Sequence, residues 1–301
     1  MIGRPRPAAA RFKRPTLLIV GCGDIGLRVA ALLRGRWRLI GLTSSVERIP
    51  ALRAAGVQPL VGDLDAPASL ARLAGLADAV LHLAPPPPQG RTDPRTAHLL
   101  QALARQRRVR QLVYASTSGV YGDCDGACID ETRATRPATD RARRRVDAEQ
   151  RLRWFGRAFG VHVSLLRIPG IYAGDRAGGH PRERLLRGTP VLAPEHDVFT
   201  NHIHADDLAR ACVAALHRGA PQRVLNVCDD TEMKMGDYFD LAADLCGLPR
   251  PRRVGLAEAR ALLSPMQLSF MGESRRLCND RLRRELRLRL RYPTVAQGLL
   301  A

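Results

Sequence analysis

Gly21-Cys22-Gly23-Asp24-Ile25-Gly26 stands between the apolar run Thr16 to Val20 and a segment, Ile25 to Leu33, whose apolar residues recur at helical spacing. Strand, glycine turn and helix in that order form a cradle for a phosphate group. Gly21 permits the tight turn, Gly23 removes a side chain where a pyrophosphate must approach, and Gly26 lets the helix pack against the strand. Free backbone N–H groups at Asp24 and Ile25 then face the phosphate charge. The ligand to which this arrangement points is a nicotinamide dinucleotide.

Outward from the turn, strand and helix patterns alternate. Trp37 to Leu42, Val57 to Val61, Ala79 to Leu83, Gln111 to Ala115, Val161 to Arg167 and Arg223 to Val227 read as strands. Helical patterns cover Val46 to Ala55, Ala68 to Ala74, Thr96 to Gln106, Arg141 to Phe159 and Asp206 to His217. Strands that are apolar throughout and separated by helices predict a doubly wound parallel sheet covered on both faces. Past this alternation, Asp237 to Cys246, Ala257 to Leu263 and Asp280 to Glu285 read as helices of a smaller, mixed α/β lobe that binds substrate. The expected organisation is a flexible basic leader over 1–15 and a dinucleotide-binding domain over 16–170, to which 201–228 returns. The lobe takes 171–200 and 229–301.

Composition narrows the class. A hydrophobic fraction of 45% supports a real core. The net charge of +19 raises nucleic acid as a partner, but only Lys13 and Lys234 are lysines among 48 basic residues, and the arginines spread along the whole chain. With aromatics at 4%, no basic stripe interleaved with stacking rings is present, so specific nucleic-acid binding is not expected. Seven scattered cysteines without a Cys-x-x-Cys pair suit reduced thiols in the cytoplasm. No apolar run approaches the roughly 20 residues of a membrane span, and the start of the chain has no apolar core of a secretory signal.

The second strand decides between cofactors. An acid about 20 residues beyond the glycine turn usually grips the adenine ribose of NAD. Here the strand ends in Gly41-Leu42-Thr43-Ser44-Ser45, with no acid before Glu47. Hydroxyls at Thr43, Ser44 and Ser45, with Arg48 near, suit a 2′-phosphate, so NADP(H) is favoured and NAD(H) is the alternative. Asp63, after the third strand, is placed to accept from the adenine amino group.

Further landmarks are Gly62-Asp63-Leu64, Ser116-Thr117-Ser118-Gly119-Val120-Tyr121-Gly122, Arg167-Ile-Pro-Gly-Ile-Tyr172, Asn201-His-Ile-His-Ala-Asp-Asp-Leu208 and Arg291-Tyr-Pro-Thr294. With the glycine turn they resemble the extended short-chain dehydrogenase/reductase family, which includes NAD-dependent nucleotide-sugar epimerases and dehydratases. The Gly-x-Gly-x-x-Gly spacing is similar to its atypical branch. The resemblance implies cofactor contacts from Leu83, Ala84 and Pro85 after the fourth strand, and from Ser116, Arg145 and Pro169. It implies that Thr117 holds the reacting hydroxyl or carbonyl, and that family members often dimerise through two helices of the sheet domain.

It also exposes a departure. The family's Tyr-x-x-x-Lys occurs nowhere in this chain; alignment puts Arg141 at the tyrosine position and Arg145 at the lysine position. Arg145 keeps a positive charge for a ribose, but Arg141, with a pKa above ~12, cannot shuttle protons. Tyr121, Tyr172, Asp140 and His82 are the candidate replacements, with Tyr121 placed in the catalytic set beside Thr117 and Arg145. His202-x-His204 with Asp206 and Asp207 raises a metal site, but acids opening a helix explain the pattern and no metal is expected. Arginines around Glu273-Ser-Arg-Arg276 are placed to clamp a diphosphate or carboxylate. Two functions follow: hydride transfer or epimerisation on a sugar-nucleotide-like carbonyl compound, or a non-catalytic NADP(H)-binding sensor or assembly factor.

Overall fold

The structure, a computed structural model, describes residues 14–301. Most of the leader expected over 1–15 therefore lies outside the described residues. Seven parallel strands make the central sheet: β1 Thr16–Val20, β2 Arg38–Thr43, β3 Gln58–Val61, β4 Ala79–His82, β5 Gln111–Thr117, β6 His162–Ile168 and β7 Arg223–Asn226. Their spatial order is β3-β2-β1-β4-β5-β6-β7, with every pairing parallel. This is the doubly wound order, and the chain reverses direction across the sheet between β1 and β4.

Alternation along β1 shows why both faces need covering. Leu17 and Ile19 point to one core with Val29, Ala30 and Leu33 of helix α1 (Asp24–Leu33). Leu18 and Val20 point to the other, with Leu99, Leu103, Leu152 and Phe155. Those residues come from α3 (Pro94–Ala104) and α4 (Asp140–Phe159). Between α1 and α3 lies α2 (Ile49–Ala54). Two local expectations are corrected. Val46 to Ala55 is a 3₁₀ turn, Val46–Arg48, followed by the short α2, because Pro50 lacks a backbone N–H and starts a helix afresh. Pro67–Leu73 is a 3₁₀ helix where an α-helix is expected.

The later elements form the smaller lobe. Helices α5 (Arg182–Leu186), α6 (Ala205–Arg218), α7 (Met235–Cys246), α8 (Leu256–Leu262), α9 (Pro265–Met271), α10 (Asp280–Arg284) and α11 (Val295–Leu299) are accompanied by two-stranded pairs. Of these α6 and α10 pack on the sheet, since Leu208, Ala211, Cys212 and Leu216 of α6 and Leu282 of α10 share the core of α1. Separate apolar clusters hold the lobe, one around Tyr172, Tyr238 and Phe239 and another around Leu192, Val254 and Met271. One parallel pair, Gly170–Tyr172 with His202–His204, leads directly out of β6 and into α6. It carries the lobe across the carboxyl ends of the strands, where open parallel sheets bind ligands. Among the described residues, no helix is long and apolar enough to cross a membrane.

Candidate functional site

The glycine turn closes tightly: the Gly23 N–H donates to the Gly21 carbonyl over 2.8 Å, and Leu27 N–H donates to the Gly23 carbonyl over 2.9 Å. Gly21 has φ +81°, and a Cβ there would stand 2.4 Å from the backbone nitrogen of Ala84. That crowding is mutual, because the Leu83 and Ala84 N–H groups both donate to the Val20 carbonyl. Gly23 is the opposite case. A Cβ on it would meet nothing within 4 Å, and it faces a cavity of about 390 Å³. Gly26 packs on Ile19 and Cys22, each 3.2 Å from where its Cβ would lie. The turn therefore fits a dinucleotide: the first glycine is demanded by the fold, and the second leaves room that the fold does not use.

The same cavity is walled by Thr43, Ser44, Arg48, Asp63, Leu83, Ala84 and Pro85. The side chains are not equally free. The Thr43 hydroxyl is tied into its own turn, donating to the Ser45 carbonyl and accepting from the Ser45 N–H. Ser44 is exposed. Arg48 reaches back to donate to the Cys22 carbonyl over 2.9 Å, tying the second strand's end to the glycine turn. Asp63 accepts from the Asp65 N–H as a turn residue. Arg95 also lines this space, braced by Asp65. Burial pushes the Cys22 thiol up to about 11, which keeps it protonated and inert within the turn.

Three of the expected cofactor residues have their side chains engaged within the protein. Asp24 turns its carboxylate to Arg28 and Arg176, both at 3.0 Å. Ile25 packs against the core around α1. Ser116 donates to Glu149 over 2.6 Å, within a buried pair in which Arg167 and Glu149 lie 2.8 Å apart. For Asp24 and Ile25 only the backbone is left to face a phosphate.

A second cavity, about 770 Å³, shares the Pro85 wall and extends under the lobe. Thr117, Arg141, Arg145 and Pro169 line it, as do Arg144, Arg176, Arg184, Arg275, His202, Tyr238 and Glu273. Thr117 ends β5 with its hydroxyl accepting from the Gly119 N–H at 3.3 Å. Arg145 donates to the Tyr114 hydroxyl and the Ala115 carbonyl, at 3.0 and 2.8 Å. Arg141 lies over the Phe270 ring at 4.4 Å. Glu273 is the carboxylate on this wall, bonded to Arg275 over 2.8 Å, and its Oε2 is 3.9 Å from a Cβ built on Gly119. It therefore hangs over the Thr117–Gly119 turn.

The remaining acid/base candidates are displaced from this wall. Tyr121 is a correction to the catalytic set: it is 1% exposed, away from both cavities, and its hydroxyl donates to Asn226 over 2.8 Å. Packing between the sheet and its neighbouring loop uses this ring completely. Tyr172 donates to Asp229 and to the Thr294 carbonyl inside the lobe. Asp140 pairs with Arg91 and Arg143. His82 is buried, shares a hydrogen bond with Thr96, and is pushed down to about 3 by burial and by the Arg145 charge. His202 does reach the cavity. Burial holds it down to about 3 as well, so it stays neutral, and it stacks on Tyr238 at 4.0 Å. Its neighbours explain the histidine–aspartate pattern structurally. His204 accepts from the Asp206 N–H to cap α6, and Asp207 accepts from the N–H groups of Arg291 and Tyr292.

Sequence reasoning missed Arg176, Arg184, His202 and Tyr238 as cavity residues, since they converge from separate lobe segments. Burial pushes the Arg184 guanidinium down and the Tyr238 phenol up, the directions that desolvation gives a cation and a phenol.

Known proteins share this fold. The chain is similar to a functionally unknown conserved protein from Silicibacter pomeroyi DSS at 34% identity and TM-score 0.80, over 95% of this chain and 97% of that one. It is 27% identical to Protein YeeZ of Escherichia coli strain K12 over 252 residues, 78% of this chain and 85% of that protein. UDP-glucuronic acid 4-epimerase from Bacillus cereus in complex with NAD shares the fold, with TM-score 0.75 at 18% identity, over 94% of this chain and 96% of that one. Residues 17–228 match the NAD dependent epimerase/dehydratase family, a span that runs from within β1 past the last sheet strand. The chain belongs to the NAD dependent epimerase/dehydratase family.

Proposed function

We propose that this protein is an NADP(H)-dependent oxidoreductase or epimerase acting on an anionic, sugar-nucleotide-like carbonyl or hydroxyl compound in the cytoplasm. One observation carries the reading. The dinucleotide cradle opens, along the Pro85 wall, into a cavity that presents Thr117 and six arginines against a single carboxylate, Glu273. Such an excess of guanidinium groups favours a substrate with phosphate or carboxylate charge. Ser44 and Arg48 at the mouth of the smaller cavity favour a 2′-phosphate on the cofactor. The domain limits follow: 16–170 with 201–228 hold the dinucleotide, and 171–200 with 229–301 hold the substrate.

A nicotinamide bound along this wall would supply the hydride chemistry. Thr117 orients the substrate oxygen, Arg145 takes the lysine's charge-bearing place, and Glu273 accepts or returns the hydroxyl proton that Arg141 has no means to move. The test is hydride transfer, followed as NADPH absorbance, with nucleotide-linked keto sugars as substrates. Glu273→Gln is expected to lower kcat by about 100-fold, in the range of general acid–base catalysis, while leaving NADPH binding unchanged. Turnover that survives Glu273→Gln intact would remove Glu273 from the mechanism.

The missing Tyr-x-x-x-Lys favours the second reading, a non-catalytic NADP(H)-binding sensor or assembly factor. Tight NADPH binding with no turnover across the substrate series is the outcome it expects. Either way we infer a homodimer through α3 and α4. Their outer face forms a groove of about 540 Å³ lined by Leu100, Phe155, Phe159 and Trp154, which is 61% exposed. Trp154→Glu is expected to convert a dimer to a monomer in sedimentation velocity, and a monomeric wild type would end the inference.

A further inference from the structure

We propose that Arg176, on the lobe segment after the Gly170–Tyr172 strand, binds the cofactor pyrophosphate from outside the glycine turn and is held there by Asp24. This rests on the cofactor reading above and deepens it.

Asp24 is the first residue of α1 and follows in the chain directly on Gly23, which lines the smaller cavity. Without ligand, an acid in the first turn complements the helix dipole. Beside an incoming pyrophosphate the same charge is repulsive unless it is covered. Two arginines cover it, and they are not equivalent. Arg28 is fully committed, giving Nε to Asp24, Nη1 to Asp206 and Nη2 to Asp175. Arg176 gives Asp24 only its Nε, over 3.0 Å. Its two terminal amino groups have no partner among the described residues, and the side chain lines the larger cavity. A guanidinium anchored at one nitrogen, with a free fork at the cavity wall, is suited to two parallel bonds with phosphate oxygens. The neighbouring Asp175, paired with Arg28, pins the same lobe segment to α1 and limits how far Arg176 can stray.

The consequence is that the lobe and the cofactor share a residue, so dinucleotide binding and lobe position are linked. The test measures the dissociation constant of NADPH, and of NADH, by calorimetry on the full chain as wild type, Arg176→Gln and Arg182→Gln. Arg182 is an exposed arginine on α5 that lines neither cavity, so it controls for the loss of one positive charge. Arg176→Gln is expected to weaken the preferred dinucleotide about tenfold, and Arg182→Gln less than about twofold, with equal melting temperatures. Equal effects of the two variants, or no effect of Arg176→Gln, would overturn the proposal while leaving the cofactor reading intact. A wild type that binds neither dinucleotide would overturn both.

Discussion

Gly23→Ala is expected to weaken NADPH binding by about 100-fold, close to 2.7 kcal/mol, while the melting temperature stays within about 1 °C of the wild type. Gly23 has φ −82° and ψ −151°, an extended conformation that alanine tolerates, and a Cβ there meets no protein atom within 4 Å. The new methyl therefore harms nothing in the apo protein. It occupies the space through which a pyrophosphate must approach the helix N–H groups, where distance decides the strength of every bond. Gly21→Ala provides the contrast. Its methyl would overlap the Ala84 backbone at a positive φ, so stability falls together with binding. Calorimetric titration and thermal unfolding of both variants separate the two cases. A Gly23→Ala protein that binds NADPH within about threefold of wild type would show that the turn does not hold the pyrophosphate.

The second large effect is expected at a buried ion pair that lines neither cavity. Glu149 and Arg167 are each 4% exposed in their side chains, bonded over 2.8 Å, with Ser116 donating to the same carboxylate over 2.6 Å. The Arg167 guanidinium also lies over the Tyr121 ring at 4.6 Å. Glu149→Ala leaves that cation buried without a counter-charge, and a loss of about 3–5 kcal/mol in urea unfolding is expected. The double replacement Glu149→Leu with Arg167→Met is expected to recover most of this, since an apolar pair of similar volume avoids desolvating two charges. If Glu149→Ala loses less than about 1 kcal/mol, the pair is not what joins α4 to β6.

How much of this was legible in the sequence depended on the range of the interaction. β1, the glycine turn and α1 were readable because a strand, three glycines and an amphipathic helix are adjacent in the chain and each requires its residue type locally. The same holds for α4, where Thr139 caps the start with its hydroxyl accepting from the Ala142 N–H. The lobe was harder. Helices α5 and α11 are five residues each, too short to show a period, and they form because tertiary packing on α7 buries Leu185, Val295 and Leu299. At the site, Thr117, Arg145 and Asp63 were placed by motif, and they do line the cavities. Tyr121 and Ser116 sit in the same motif yet face inward, because side chains alternate or turn away along a strand and its 3₁₀ extension. Arg176 and Tyr238 belong to segments that meet only after folding, and no spacing announces that, whereas the Glu273 segment is pointed to by the family resemblance and does line the larger cavity.

The four consecutive prolines, Pro85 to Pro88, have one more consequence. All four line the larger cavity, the first of them, Pro85, is the wall it shares with the smaller one, and Arg144 braces the loop beyond by donating to the Gly90 carbonyl over 2.6 Å. Each proline has its φ fixed before any ligand arrives, so this side of the cleft surrenders little entropy on binding. The rest of the lining includes longer side chains with several rotatable bonds, Arg141 and Arg184 among them. The molecule therefore meets its ligands with one stiff jaw and one compliant jaw. New substrate preferences would arise by altering the compliant jaw, with the stiff one kept as the reference edge against which the nicotinamide is positioned.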